Sequence, residues 1–227
     1  MHGEDKLSGI LILDKPVGLS SMRAIARVRR AAGGVRTGHA GTLDPLASGV
    51  LVVALGRATK SIDRFMDTEK RYRTTIDLSA FTTTDDREGE RTEVAVDAPP
   101  SRDAVERAIS EFVGVIQQRP PVYSAMKVGG RRAYAMARKG QAPELAPRPV
   151  TVHAIALLGY RWPMLSIDIR CAKGVYVRSL ARDIGARLGT GGHCHDLRRT
   201  AVGPFDESDA MTLDALPQHV DASHLVP

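Results

Sequence analysis

Hydrophobic and polar positions along the chain follow two periods, one typical of strands and one typical of helices. The apolar runs GILIL from Gly9 and GVLVVAL from Gly49 predict short buried strands. Period-two alternation in KRYRTTIDLS predicts a half-exposed strand that carries Tyr72 on its inner face. VTVHAIALLGY and MLSIDIRCA predict two adjacent antiparallel strands.

Apolar residues spaced three and four apart predict the helices. Ser20 or Ser21 caps a first helix that runs to about Ala32. Its predicted apolar side consists of Met22, Ile25, Ala26 and Val28. RATKSIDRFMDTEK predicts a second helix with Met66 inward. SRDAVERAISEFVG predicts a third helix that is capped by Ser101. GVYVRSLARDIGARLG predicts a strand that passes into a helix ending at Gly189.

The order of these elements predicts the fold class and the domain organisation. Strands and helices mix without a βαβ rhythm, so we expect an α+β fold with a largely antiparallel sheet. A chain of 227 residues with 43% apolar content predicts a single domain over residues 1–227. The stretch at about 119–149 is basic and is interrupted by proline and glycine, so we interpret it as an insertion on that domain.

Several classes of protein and site are disfavoured by the sequence. No window approaches the roughly 20 apolar residues that cross a bilayer, so we expect a cytoplasmic protein without membrane contact. Two cysteines, Cys171 and Cys194, are too few for a disulfide framework. His193, Cys194 and His195 are possible metal ligands, but no second cluster completes a shell, so we interpret them as part of a polar loop without metal.

Charge is unevenly distributed. The net charge is +6, with 32 Lys and Arg against 26 Asp and Glu. The segment from Arg119 to Lys139 carries six basic residues and no acidic one. Such a segment is a candidate contact for a polyanion, although a solvated basic loop has the same composition.

One carboxylate stands out from its surroundings. Asp44 lies in GHAGTLDPLASG, between Leu43 and Pro45, just before a predicted buried strand. An unpaired carboxylate in apolar surroundings is costly to keep ionised, so Asp44 either caps its loop or takes part in chemistry. Tyr176 and Arg178 are predicted to share one face of a strand, which is unusual for a core face.

Six motifs in order resemble the TruB family of tRNA pseudouridine synthases. They cover the chain from about Ser8 to Phe205: GILILDKPVGLSS, GHAGTLDPLASGVLVVALGRATK, KRYRTTIDL, PPVYSAMKVGGRRAYAMARKG, KGVYVRSLARDIGARLG and GGHCHDLRRTAVGPF. The resemblance implies a pseudouridine synthase fold with a thumb-like insertion. It also implies isomerisation of a uridine in the T-arm loop of tRNA, conventionally nucleotide 55, without cofactor or metal.

The resemblance also implies site residues. Asp44 matches the catalytic aspartate, Tyr72 the tyrosine that packs on the target base, and Arg178 the arginine that pairs with the aspartate. His39 matches the histidine that helps to hold the loop nucleotides turned outward, Lys60 matches a basic residue near the cleft, and Tyr176 lies beside Arg178 in the pocket that the unstacked uridine enters. We also expect Lys15, Arg131 and Arg132 to bind the substrate.

Two points remain open at the level of sequence. Bacterial family members usually continue into a C-terminal PUA-type module, whereas this sequence stops at Pro227, shortly after MTLDALPQHV, so that either the module is absent or the sequence was shortened. We expect a monomer that binds the T-arm stem-loop of tRNA. A non-catalytic tRNA-binding or chaperone protein on the same fold is the main alternative. A carboxylate-nucleophile glycoside hydrolase is a weaker one, because no second acid is placed as proton donor.

Overall fold

The computed structural model describes residues 7–124, 126–137, 140–141 and 143–226, with the backbone alone for Lys127, Arg132 and Ala135. The chain forms two compact units. Unit 1 comprises the residues up to Tyr72 and those from Arg198 onward, and unit 2 comprises Arg73–Leu197. None of the helices in the described ranges combines the length and apolarity that a membrane crossing requires.

The regular elements are short. The strands are β1 (Gly9–Lys15), β2 (Thr37–His39), β3 (Ala47–Leu55), β4 (Lys70–Asp77), β5 (Ala80–Thr82), β6 (Arg91–Glu93), β7 (Gly114–Gln118), β8 (Lys127–Val128), β9 (Arg131–Arg132), β10 (Arg148–Arg161), β11 (Met164–Cys171), β12 (His193–Val202), β13 (Phe205–Asp206) and β14 (Met211–Thr212). The α-helices are α1 (Ser21–Ala31), α2 (Asp63–Met66), α3 (Arg102–Ser110), α4 (Ala133–Ala137) and α5 (Val177–Leu188).

Unit 1 is built around the buried strand pair β1 and β3. The two strands are antiparallel, with Leu13 opposite Leu51, and β14 adds to β1 in parallel. β2 pairs antiparallel with β3 on part of its length. The interior is aliphatic, and the rings of Phe65 and Phe205 pack against it with their centres 5.5 Å apart. This core fixes the start of β3, where the loop that carries Asp44 ends.

Unit 2 has an antiparallel sheet covered by helices. β10 pairs with β11 on one side and with β7 on the other. Leu165, Ile167, Ile169 and Cys171 point inward from β11, which confirms the alternation in the sequence. Since β7 and β10 are neighbours, with Gln118 opposite Arg148, residues 119–147 form an excursion between paired strands. The predicted single domain with a thumb-like insertion stays a prediction.

Four local predictions were wrong. Met22 is 68% exposed and Ala26 is exposed, because the face of α1 that is buried consists of Ser21, Ala24, Ile25, Val28 and Ala31. Met66 is 42% exposed, since a 3₁₀ turn at Gly56–Ser61 precedes the four-residue helix α2 and shifts its phase.

The other two corrections concern residues near the predicted site. The segment GVYV before and at the start of α5 does not form the predicted strand. Tyr176 is the N-cap of α5 and Arg178 lies in its first turn, so the two do not share a strand face. The segment with His193, Cys194 and His195 is the start of β12 and not a loop. Within the described ranges, no group of three or more His, Cys, Asp or Glu side chains could hold a metal ion.

Candidate active site

The loop between β2 and β3 carries Asp44, and contacts within unit 1 fix it on both sides. The Ser21 hydroxyl donates to the carbonyl oxygen of Leu43 (2.9 Å) and accepts from the Leu43 amide (2.8 Å). The Gly18 amide donates to the carbonyl of Pro45 at 2.7 Å. The residues before and after Asp44 are therefore anchored to the start of α1, while Asp44 itself is half-buried.

A buried arginine supports the same loop from β12. The Arg199 side chain is fully buried; its Nε donates to the Val50 carbonyl (2.7 Å) and its Nη2 to the Gly41 carbonyl (3.1 Å). Gly49 is also tied to this residue, because a Cβ at Gly49 would lie 2.1 Å from the Arg199 carbonyl oxygen. Sequence reasoning missed Arg199, although two adjacent arginines point to opposite faces if they lie on a strand, so that one of them can point inward.

Lys15, at the end of β1, is a second buried cation in unit 1. Its ammonium donates to the carbonyls of Pro16 (2.8 Å) and Leu19 (2.7 Å). Burial lowers the pKa of Lys15 to about 8, Asp44 opposes this shift by its charge, and Arg199 adds to it. Because attraction is mutual, the same charge of Lys15 favours the ionised form of Asp44.

His39 ends β2 and approaches the same group of charges. Burial lowers the pKa of His39, and the charge of Arg199 lowers it further. The ring is therefore neutral at pH 7. Its Nδ1 is buried and has no hydrogen-bond partner among the described residues.

The remaining predicted residues of unit 1 lie nearer the surface. Tyr72 is half-buried near the start of β4, and Lys60 is exposed in the 3₁₀ turn after β3. By contrast, Lys15, His39 and Asp44 lie close to Arg199 within unit 1. The charge of Arg199 lowers the pKa values of Lys15 and His39, and the charge of Asp44 acts on Lys15 in the opposite direction.

In unit 2, Arg178 is buried in the first turn of α5. Its Nη1 donates to Asp86 Oδ2 (3.0 Å) and to the Thr84 carbonyl (2.9 Å), and its Nη2 donates to the Tyr123 carbonyl (2.8 Å). Sequence reasoning missed Asp86, whose Oδ1 also accepts from Thr84 Oγ1 (2.6 Å) and the Glu88 amide (3.0 Å). The predicted pair of Arg178 with Asp44 joins residues of two different units and stays a prediction.

Tyr176 is positioned by an amide side chain. Gln118 Nε2 donates to the Tyr176 carbonyl (3.1 Å), and the Tyr176 amide donates to Gln118 Oε1 (2.8 Å). The Arg148 guanidinium lies 5.5 Å from the centre of the tyrosine ring. The last two predicted residues belong to β9: Arg131 is exposed, and the side chain of Arg132 lies outside the described residues.

The chain is similar to known proteins over almost its whole length. Residues 29–177 match the TruB family pseudouridylate synthase N-terminal domain, and residues 178–225 match the tRNA pseudouridylate synthase B C-terminal domain. The tRNA pseudouridine synthase B of Caulobacter sp. (strain K31) is 49% identical over 93% of this chain and 68% of its own length. The protein of the same name from Rhodopseudomonas palustris is 47% identical over 92% of this chain and 57% of its own length. The one from Thermobifida fusca is 49% identical over 92% of this chain and 74% of its own length.

Solved structures give the same fold. A Cbf5-Nop10-Gar1 complex contains a chain with TM-score 0.72 and 31% identity, aligned over 91% of this chain and 52% of that one. A chain in an H/ACA RNP bound to a substrate RNA containing 2′-deoxyuridine has a TM-score of 0.68 and 27% identity. The alignment covers 94% of this chain and 58% of that one. The architecture is thus the mixed, mostly antiparallel pseudouridine synthase fold that the motifs imply. By its sequence motifs, its matched family domains and its fold, this chain belongs to the TruB family of pseudouridylate synthases.

Proposed function

We propose that this protein isomerises uridine 55 in the T-loop of tRNA to pseudouridine, as a monomer that recognises the T-arm. Relatives at 47–49% identity carry the name tRNA pseudouridine synthase B, and they support this reaction and substrate. The observation that carries the proposal is the Asp44 loop, in which a half-buried carboxylate is fixed on both sides and stabilised by the charge of Lys15.

The reaction breaks the C1′–N1 bond, turns the base and forms a C1′–C5 bond. C5 releases its hydrogen as a proton and N1 takes up a proton from solvent, so substrate and product have the same composition. Asp44 starts it as an ionised carboxylate. It either attacks C1′ or promotes loss of the 2′ hydrogen with formation of a glycal, and both routes need the carboxylate form. The neighbouring Lys15 charge favours that form at neutral pH.

Tyr72 and Arg178 complete the proposed catalytic set. The ring of Tyr72 stacks on the flipped uracil and offsets part of the cost of unstacking, and its hydroxyl serves as a base for proton removal. Arg178 acts through its positive charge near the reacting carboxylate. Its hydrogen bonds to Asp86, Thr84 and Tyr123 support this role, since they fix the guanidinium in one orientation.

The other residues hold the RNA. His39 helps to hold the loop nucleotides turned outward, and Tyr176, whose ring lies against the Arg148 guanidinium, binds substrate beside Arg178. Lys60, Arg131 and Arg132 provide positive charge for phosphates, with the excursion at residues 119–147 as a thumb. Lys15 is fully buried, which favours a positioning role for it through the Pro16 and Leu19 carbonyls.

The test is the variant Asp44→Asn with a T-arm stem-loop RNA labelled with tritium at C5 of uridine. Wild-type protein should release the tritium, because isomerisation expels that hydrogen by either route. Asp44→Asn should bind the RNA but release no tritium. An asparagine amide can cap the loop as aspartate does, but it cannot act as the reacting carboxylate. Asp63→Asn, which changes an exposed carboxylate on α2, is the matched control and should behave as wild type.

Two outcomes would contradict the proposal. Tight RNA binding by wild-type protein without any tritium release would favour the non-catalytic binding protein. Wild-type release by a folded Asp44→Asn protein would remove Asp44 from the chemistry.

A further inference from the structure

The outer side of α1 carries a row of arginines. Arg23, Arg27 and Arg30 are spaced by four and three residues, so they lie in one line along the helix. Arg29 and Arg36 add two more arginines beside it. All five are exposed, and the sequence has no acidic residue between Asp14 and Asp44. We call Arg23, Arg27 and Arg30 the α1 arginine row.

These arginines differ from those of α5. None of the five forms an ion pair within the described ranges, and Arg29 makes a single long contact of 3.5 Å, from its Nε to the Gly34 carbonyl. The arginines of α5 all have carboxylate partners. They are Arg178 with Asp86, Arg182 with Asp85 and Asp183, and Arg187 with Glu111.

Arg30 lies in the last turn of α1, where the helix dipole favours positive charge, but local helix stability does not account for Arg23 and Arg27. Like charges at i and i+4 destabilise a helix by about 0.2–0.5 kcal/mol per pair. Arg23 also lies in the first turn, where the helix dipole favours negative charge, and that turn of α1 contains no acidic residue. Positive charge that is unfavourable within the molecule indicates a negatively charged partner outside it.

The row has a fixed position relative to Asp44. Ser21, two residues before Arg23, binds both the amide and the carbonyl of Leu43. Gly18, just before the helix, binds the carbonyl of Pro45. An anion that binds the row is therefore held at a set distance from the carboxylate, within the same unit.

We propose that the α1 arginine row binds consecutive phosphates in the base-paired stem next to the target uridine. The inference rests on the proposed function, and it identifies a contact to the double-stranded part of the substrate. The row extends about 10 Å along the helix axis, and a guanidinium fork binds phosphate oxygens in pairs. An anionic membrane is a poorer partner, because Ala24, Ile25 and Val28 are buried in unit 1, and the exposed apolar residues of α1, Met22 and Ala26, form too small a surface to insert.

The experiment compares two double variants of equal charge. Arg23→Gln/Arg27→Gln removes two charges from the row, and glutamine keeps the helix propensity. Arg107→Gln/Arg161→Gln is the control, because both residues are exposed in unit 2 and neither forms an ion pair in the described part of the chain. The measurements are Kd against salt concentration and the steady-state KM, with a T-arm stem-loop and with the same loop sequence as a short single strand.

For the row variant with the stem-loop we expect Kd to rise about tenfold and the slope of log K against log salt to fall by about 1 to 2. The change should appear in KM. The control variant should keep the wild-type slope, and Arg23→Lys/Arg27→Lys should retain most of that slope. With the single-stranded loop, the row variant and wild-type protein should have the same Kd.

Three results would overturn the inference: a wild-type slope for the row variant, an equal loss in the control, or an equal loss with the single-stranded loop. Lost binding to polyglutamate with unchanged RNA binding would assign the row to an acidic protein instead. These readouts are independent of the proposed reaction, because failure of that reaction appears as absent tritium release by wild-type protein.

Discussion

At the residue scale, Arg199 is the side chain that joins β3, β12 and the Asp44 loop. Its guanidinium binds two backbone carbonyls, Val50 and Gly41, and no described carboxylate forms an ion pair with it. Its charge also lowers the pKa values of His39 and Lys15. We therefore interpret Arg199 as a positioning residue that sets both the geometry and the charge around Asp44.

Substitution of Arg199 should alter the site before it alters RNA binding. In Arg199→Met the Gly41 carbonyl loses its donor, so we expect kcat to fall about 10- to 100-fold with little change in Kd, since small displacements of reacting groups are costly. The pKa of His39 should rise toward its ordinary value, as measured by NMR titration of the imidazole. Arg199→Lys should recover part of kcat.

Arg198→Met is the matched control for this prediction. Arg198 points the other way and pairs with Asp14 and Glu207. Its loss should leave the pKa of His39 unchanged. A purely structural role for Arg199 would lower the melting temperature without moving either kcat at low temperature or the His39 titration.

At the element scale, the hairpin of β8 and β9 presents Arg131 within the proposed thumb. Val128 pairs with Arg131, so the loop contains only Gly129 and Gly130. Both glycines have positive φ, 55° and 80°, which is the pattern of a type I′ turn. The turn thus decides whether the hairpin can form.

The two glycines should respond differently to substitution. Asparagine is favoured at the first position of this turn, whereas a β-branched residue is strained at positive φ. Among the described atoms, none lies within 4 Å of a Cβ built at either position, so the expected effect comes from the backbone. We expect Gly130→Val to raise Kd for the T-arm stem-loop several-fold and Gly129→Asn to leave it unchanged; equal affinities would argue against a thumb role for this hairpin.

At the scale of the whole molecule, burial of Lys15 makes stability depend on pH. The pKa of Lys15 is about 8 in the folded protein and 10.5 in the reference state. Between these values the unfolded chain binds more protons, so the free energy of unfolding rises with pH through this window. Below about pH 8 the lysine is protonated in both states and its contribution is constant.

The variant Lys15→Met removes this titration. Subtraction of its free energy of unfolding from that of wild type, measured with urea at pH 7.5, 8.5 and 9.5, isolates the contribution of Lys15. We expect the difference to shift in favour of wild type as the pH rises. A difference that is flat or moves the other way would mean that the buried ammonium is not destabilised in the folded state.

The sequence by itself determined the local elements and the identity of the motifs. Apolar runs and alternation located β1, β3, β4, β10 and β11, and Ser20 and Ser101 cap α1 and α3 as predicted. Gly189 ends α5 in the left-handed conformation, again as predicted. These features depend on neighbours within a few residues, which is why periodicity and capping rules predict them.

Tertiary structure alone decided which of two similar residues enters a site. Arg198 and Arg199 are adjacent on β12, and only the pairing of that strand turns Arg199 into the interior and Arg198 toward Asp14. The sequence GVYV favours a strand before α5, yet the Gln118 side chain occupies the Tyr176 amide and carbonyl that a strand neighbour would bind. Such outcomes depend on groups distant along the chain, because burial and hydrogen-bond partners are settled only when the elements pack.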